Sequence, residues 1–136
     1  MRKFFLGIII LITLITAFIA YMFYHEPSSN ELVGRSVALE WAKEAVGRGA
    51  GELLVTSIDR HGTGLGFDIE LYQALAEVVD VPVTAFGGAG NIQHFVDLFT
   101  KTNATRALAG ALLYNKVLTI KDIKKALHES WVVVRQ

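Results

Sequence analysis

Apolar and polar positions follow a repeated order along the second part of the chain. Three short apolar runs, over residues 52–57, 81–86 and 106–111, stop at polar or glycine residues, and each is followed by apolar positions at helical spacing. The runs begin about 25–30 residues apart, which is the size of a βα unit. This order predicts an α/β fold with parallel strands, in which ligand sites lie at the carboxyl ends of the strands.

Polar residues mark where the predicted helices begin. Asp68 and Asn91 each stand directly before a segment of helical periodicity, where a short side chain can accept a hydrogen bond from the first turn. Thr119 and Asp122 have the spacing of a capping box, with Asp in place of the usual Glu or Gln. We therefore expect a helix to follow each of the three strands.

Two further segments flank the βα units. An amphipathic helix is predicted over Val37–Val46, and an extended apolar tail over Trp131–Arg135. Trp41 and Trp131 are expected to be packing anchors in these segments, and Leu112–Tyr114 to form one short helical turn. Three parallel strands cannot close a barrel, which takes eight, so they would leave two open edges.

The first part of the chain has a different composition. Residues 4–24 are apolar and uncharged, and two basic residues precede them. A run of about 20 such residues can span a bilayer and exceeds the roughly 7–15-residue core of a cleavable signal peptide. Residues 1–25 are therefore predicted to be a hydrophobic helix and membrane anchor, with a signal peptide or a buried helix as alternatives. Residues 26–35 predict a linker, and residues 36–136 the α/β domain.

Composition excludes several classes of function. The chain has 13 basic and 13 acidic residues and no basic block, so no nucleic-acid partner is expected. It has no cysteine, which excludes disulfides and thiolate chemistry. The four histidines, His25, His61, His94 and His128, lack the spacing of a metal site. Neither a metal nor a cofactor is predicted.

Glycines follow the second apolar run. Gly87, Gly88 and Gly90 leave main-chain N–H groups uncovered beside a helix N-terminus, and such groups can approach a phosphate closely. The same pattern is also typical of a tight turn that binds nothing. His61, in the loop after the first run, is either a solvated loop residue or a proton carrier. The residues alone leave both questions open.

These loops also carry a family resemblance. GAGELLVTSIDR at residues 49–60 is followed by GT at 62–63, GFD at 66–68 and GGAG at 87–90. In this order and at these distances the motifs resemble the C-terminal part of the cyclase subunit of imidazole glycerol phosphate synthase, over about Ser36 to Arg135. That family is a (β/α)8 barrel of histidine biosynthesis. The resemblance therefore implies a partial (β/α)8, or TIM, barrel of about three βα units.

The resemblance implies a function as well. The family, a lyase, cyclises an aminated ribulosyl phosphate intermediate with ammonia from a glutaminase partner, forming imidazole glycerol phosphate and an aminoimidazole ribonucleotide. Its two acid/base aspartates lie on strands one and five, and this chain resembles only units six to eight. Ring closure needs a positioned proton donor and acceptor. The resemblance therefore implies no catalytic residue in this chain and no activity of the chain alone.

For the remaining part, the resemblance implies a half-site for the substrate phosphate. The matching positions lie after each of the three strands: Thr56, His61, Gly62, Gly87, Gly88, Gly110 and Ala111. His61 stands where the family usually has an aspartate, and Ala111 where it usually has a serine. A protonated imidazole would favour a phosphate, whereas the alanine removes a hydrogen bond worth about 1 kcal/mol. Phe86 is bulkier than the residue expected before the glycines.

Partners and location follow from both parts of the sequence. The expected partners are a phosphorylated, sugar-nucleotide-like substrate, a glutaminase subunit or a complementary half-barrel, and a lipid bilayer through residues 4–24. The hydrophobic segment predicts a single-pass membrane protein, whereas the resemblance implies a cytoplasmic one. Two alternatives remain for the function: a membrane-tethered, non-catalytic phosphate-binding or interaction module, and a truncated gene product.

Overall fold

Helices and strands alternate in the computed structural model, which describes residues 15–16 and 29–135. Each strand is shorter than its apolar run, and β2 begins just after Pro82, which has no N–H to donate to a strand ladder. The elements of the described part are α1 Ser29–Gly47, β1 Leu53–Thr56, α2 Ile69–Val78, β2 Val83–Phe86, α3 Ile92–Lys101, β3 Arg106–Leu108, α4 Ala111–Tyr114 and α5 Ile120–Glu129.

The three strands form one parallel sheet in the order β1-β2-β3. Thr56, Phe86 and Leu108 lie opposite one another in the register, so the carboxyl ends of the strands are side by side. The predicted α/β class with a parallel sheet is therefore confirmed. Because β2 is central, β1 and β3 each have one edge that pairs with no other described strand.

The two faces of the sheet differ in what covers them. On one face, Ala85 of β2 is buried together with Leu75 of α2, Leu98 of α3 and other apolar residues of the helices. Successive strand residues point to opposite faces. On the other face Leu54 is 60% exposed and Leu108 is 37% exposed. The helices thus form a single layer, and they leave the strand ends accessible from the other side.

The predicted helix starts are confirmed. The side chains of Asp68 and Asn91 accept N–H groups of the first turns of α2 and α3. Thr119 and Asp122 make both hydrogen bonds of a capping box at the start of α5. These contacts satisfy N–H groups that a helix cannot pair internally, which explains why short polar residues occur at these positions.

The prediction that both tryptophans are packing anchors is wrong. Trp41 is 66% exposed, because α1 buries the neighbouring Ala42 instead. Trp131 is 94% exposed and follows α5 with a φ of 63°. The tail after it forms no strand, although Val132 and Val134 pack against the core.

The segment before the α/β region is more helical than its polar composition indicated. Helix α1 begins at Ser29, so residues 29–34, which were expected in the linker, are helical. No proline occurs between Ser29 and the end of α1, so nothing forbids the helix there. Residues 26–28 lie outside the described part. The chain divides into two compact units, Met1–Gly34 and Arg35–Gln136, and the second contains all three strands.

The membrane prediction requires a correction. Among the residues that the structure describes, no helix is both long and apolar enough to cross a membrane. The single-pass membrane location is therefore contradicted, and the bilayer is not supported as a partner. Apart from residues 15 and 16, the predicted hydrophobic helix over 4–24 lies outside the described residues.

Candidate functional site

A cavity of about 470 Å³ opens at the carboxyl ends of the three strands. The segments after β1, β2 and β3 all contribute to its wall, together with Phe86 and Leu108 at the ends of two strands. The other described residues that line it are His61, Gly62, Gly64, Gly87, Gly88, Ala89, Gly90, Ala109, Gly110, Ala111, Leu112, Asn115 and Val117. The parallel sheet thus brings together three loops that are far apart in the sequence.

Six of the seven residues predicted for a phosphate half-site line this cavity: His61, Gly62, Gly87, Gly88, Gly110 and Ala111. Thr56 ends β1 but is not among the lining residues. Asn115 lines the cavity and was not predicted, although a polar residue directly after a short apolar helical turn is a signal that would have found it. The structure therefore places most of the predicted residues together, and the ligand remains a proposal.

The glycines of the cavity wall allow two loops to pack main chain against main chain. Gly66 N–H donates a hydrogen bond to Gly88 O at 2.7 Å. A Cβ atom on Gly88 would lie 2.0 Å from Gly66 O, and one on Gly90 would lie 2.0 Å from Gly64 O. No side chain fits at such distances. Loop packing alone therefore requires glycine here, whatever ligand the cavity binds.

His94 of α3 stabilises the same glycine segment. Its Nδ1 accepts a hydrogen bond from Gly90 N–H at 3.0 Å, so Nδ1 is unprotonated. The ring also lies beside Gly66, where a Cβ would come 3.4 Å from it. The sequence showed only that His94 lacks the spacing of a metal site. His94 is four residues after Gly90 and lies on the first turn of a helix, and this spacing in the sequence could have predicted the contact.

Some main-chain donors of the glycine segment have no partner among the described residues. The N–H groups of Gly88 and Ala89 donate to no other described residue, and both residues line the cavity. Helix α3 begins shortly afterwards, at Ile92, so its positive N-terminal end lies close by. This arrangement suits the oxygen atoms of a small anion.

A buried carboxylate ties together the two ends of the loop over residues 58–67. Asp68 Oδ2 accepts a hydrogen bond from Ser57 Oγ at 3.1 Å, and Asp68 Oδ1 accepts one from Leu71 N–H at 3.1 Å. Arg35 Nη2 lies 3.6 Å from Asp68 Oδ1, which offsets the cost of burying the charge. Since this loop contributes to the cavity wall, the network positions that wall without entering the cavity.

His61 is the only described residue lining the cavity whose side chain can ionise. Its ring meets the Phe86 ring edge-on, with centroids 5.1 Å apart and planes at 83°. No carboxylate lines the cavity among the described residues, and none of their His, Asp and Glu side chains form a group of three that could hold a metal. The described part of the wall therefore has no negative side chain to repel an anion and no pair of carboxylates for proton transfer.

Comparison with known proteins identifies the family. The sequence profile of the family described as "Histidine biosynthesis protein" matches residues 29–119. The chain belongs to this family. The match begins at the first residue of α1 and ends one residue before α5, so it includes all three strands and the loops that form the cavity.

Curated relatives show which member of this family the chain resembles. The chain is 56% identical over 98 residues to imidazole glycerol phosphate synthase subunit HisF of Lactiplantibacillus plantarum, and 54% over 98 residues to the subunit of that name from a Nostoc species. It is 48% identical over 97 residues to that of Streptococcus mutans. The resemblance to the cyclase subunit is thus confirmed. These alignments cover 71–72% of this chain and 38–39% of the relatives, so the chain spans about two fifths of their length.

Proposed function

We propose that this chain is the phosphate-binding part of an imidazole glycerol phosphate synthase cyclase and forms a partial (β/α)8 barrel. The observation that carries the proposal is the cavity at the strand ends, where the unpartnered N–H groups of Gly88 and Ala89 lie beside the N-terminus of α3. Its ligand would be the phosphate of a phosphorylated, sugar-nucleotide-like substrate. Gly62, Gly110 and Ala111 would border that phosphate from the other two loops.

We further propose that these residues alone do not catalyse the cyclisation. The described residues that line the cavity include no carboxylate, and ring closure needs a proton donor and an acceptor in position. The edges of β1 and β3 have no described partner strand, and a closed barrel has none free. A complementary half-barrel would supply the missing strands together with the acid/base groups, and a glutaminase subunit would supply ammonia.

Titration with inorganic phosphate tests the binding site directly. We expect the amide resonances of Gly62, Gly88 and Ala89 to shift and saturate, while those of α5 do not change. Ala111→Asp would place a negative charge in the cavity and abolish the shifts, whereas Ala111→Asn has the same size without the charge and would retain most of them. The absence of saturable shifts, or equal binding by the two variants, would contradict the proposed site.

An activity assay with ammonia tests whether the catalytic groups lie on a complementary half-barrel. The chain alone should form no imidazole glycerol phosphate. A mixture with the remaining part of the Lactiplantibacillus plantarum relative, produced as a separate polypeptide, should regain activity. Turnover by the isolated chain would show that its proton-transfer groups had been missed.

A free-standing, non-catalytic phosphate-binding module is the second candidate. It is favoured by the lack of any carboxylate among the described lining residues. The same two assays separate it from the first. Phosphate binding together with a failure to complement the remaining part of the relative would favour the module over the half-barrel.

A further inference from the structure

We infer that His61 determines the affinity of the cavity for anions, because its protonated imidazole supplies the only positive side-chain charge among the described residues of the wall. Anion binding should then strengthen as the pH falls. The inference rests on the proposed phosphate site and concerns a position where this chain differs from the pattern implied by its resemblance. It predicts a property that a carboxylate at the same position would not confer.

Because the cavity wall has few polar side chains, the charge of the His61 imidazole should affect anion binding. Of the described residues that line it, only His61 and Asn115 have polar side chains, and the others are glycine, alanine, leucine, valine or phenylalanine. A doubly charged anion that leaves water for such a surface meets only neutral donors unless the imidazole is protonated. A protonated imidazole donates from both ring nitrogens, and its hydrogen bonds are charge-assisted.

The position of His61 is well defined by the fold. Its main-chain N–H donates to Ser57 O at 2.9 Å and lies 3.2 Å from Ile58 O, which fixes the turn after β1. Its ring meets the Phe86 ring edge-on, with the centroids 5.1 Å apart. Phe86 directly precedes the glycine segment, so the imidazole borders the same cavity as the N–H groups of Gly88 and Ala89.

Other ionisable groups lie near His61. Asp59 and Arg60 belong to the same loop and are not among the lining residues, although a Cβ on Gly88 would lie 2.9 Å from Arg60 Cβ. Across the glycine segment, His94 accepts the Gly90 N–H, and Tyr72 of α2 is hydrogen-bonded to the main chain of Phe86. The described residues that β3 and the segment after it contribute to the wall include no ionisable side chain.

Sulfate binding at two pH values provides the test. Sulfate keeps its charge between about pH 6 and pH 8, whereas phosphate changes its charge in this range. Because His61 is exposed to solvent, the full chain should bind sulfate about two- to fivefold more tightly at pH 6 than at pH 8, the gain expected of a solvent-screened charge. His61→Gln should bind weakly at both pH values, and His61→Lys tightly at both. His128→Gln, on the exposed face of α5, is the matched control and should behave like the unaltered chain.

Each outcome separates this inference from the proposed site. Equal, pH-independent sulfate binding by the unaltered chain and His61→Gln would overturn the role of His61 and leave the phosphate site standing. Binding by the unaltered chain that weakens at pH 6 would also overturn it. If the unaltered chain bound neither sulfate nor phosphate, the proposed site itself would fail. Unchanged melting temperatures of the variants would show that each is folded.

Discussion

The hydroxyl of Tyr72 accepts a hydrogen bond from the main-chain N–H of Phe86 at 3.1 Å. It also lies 3.1 Å from Phe86 O and 3.0 Å from Val55 O, and its single proton donates to one of these carbonyls at a time. Tyr72 is 2% exposed, and burial raises its pKa to about 12. A helix residue therefore holds the ends of β1 and β2 together where the cavity begins.

Replacing this hydroxyl should destabilise the fold. We expect Tyr72→Phe to lower the free energy of unfolding at pH 8 by about 1–3 kcal/mol, because Phe86 N–H loses its acceptor inside the protein. Urea denaturation measures the change. Tyr114→Phe is the matched control, since Tyr114 is 89% exposed, and it should change little. An equal effect of the two substitutions would show that the Tyr72 hydrogen bonds contribute nothing.

The same pair predicts an alkaline effect on stability. The pKa of Tyr72 rises from an ordinary value of 10.0 to about 12 in the folded protein. The folded state therefore holds the proton more tightly, and the associated stability is fully present below pH 10 and is lost as the pH rises to about 12. The difference in unfolding free energy between the unaltered chain and Tyr72→Phe should shrink over this interval. Denaturation at pH 8, 10 and 11 would reveal it, and a constant difference would argue against the pKa shift.

The contact between His94 and Gly90 predicts a coupled loss of stability and binding. His94→Phe keeps a ring beside Gly66 but removes the acceptor of the Gly90 N–H, at a cost of about 1 kcal/mol. Phosphate affinity should fall because the glycine segment is less well positioned. Thermal denaturation and phosphate titration measure the two effects. Unchanged amide resonances for Gly88 to Gly90 in this variant would contradict the prediction.

Two glycines of the cavity should respond very differently to alanine. Gly88 has a φ of 96°, and a Cβ there would lie 2.0 Å from Gly66 O, so we expect Gly88→Ala to cost about 3 kcal/mol or more. Gly110 has a φ of −87°, and its nearest neighbour would be the Phe86 ring at 4.0 Å, so Gly110→Ala should cost about 1 kcal/mol or less. Urea denaturation of both variants provides the comparison. Similar stabilities would mean that the two loops do not pack as closely as described.

Restoring a hydroxyl in the cavity should strengthen phosphate binding. Ala111 lines the cavity at the first position of α4, where the resemblance implies a serine. Ala111→Ser adds one donor, worth about 1 kcal/mol or roughly fivefold in affinity. Ala111→Val adds bulk without a donor and should not tighten binding. Calorimetric titration with phosphate distinguishes the two, and tighter binding by the valine variant would rule out the hydrogen bond as the cause.

Features that depend on neighbouring residues in the chain could be read from the sequence. The N-caps Asp68 and Asn91 and the capping box at Thr119 were predicted correctly, because a cap needs only a short polar side chain before a helical segment. The family resemblance was also correct, since its motifs are continuous stretches of sequence. The parallel order of the strands followed from their alternation with helices.

Features that depend on distant contacts required the tertiary structure. Trp41 and Trp131 are apolar but exposed, and His94 is polar but bound to the main chain, because burial depends on which segments pack alongside a residue. Only the sheet register places His61 beside Phe86, 25 positions along the chain, and makes it the sole ionisable side chain among the described residues of the cavity wall. Local sequence patterns were thus sufficient to predict the helices, the strands and the family. The packing of three loops across parallel strand ends decided which residues share a site, since hydrophobic burial and main-chain contact act between segments remote in sequence.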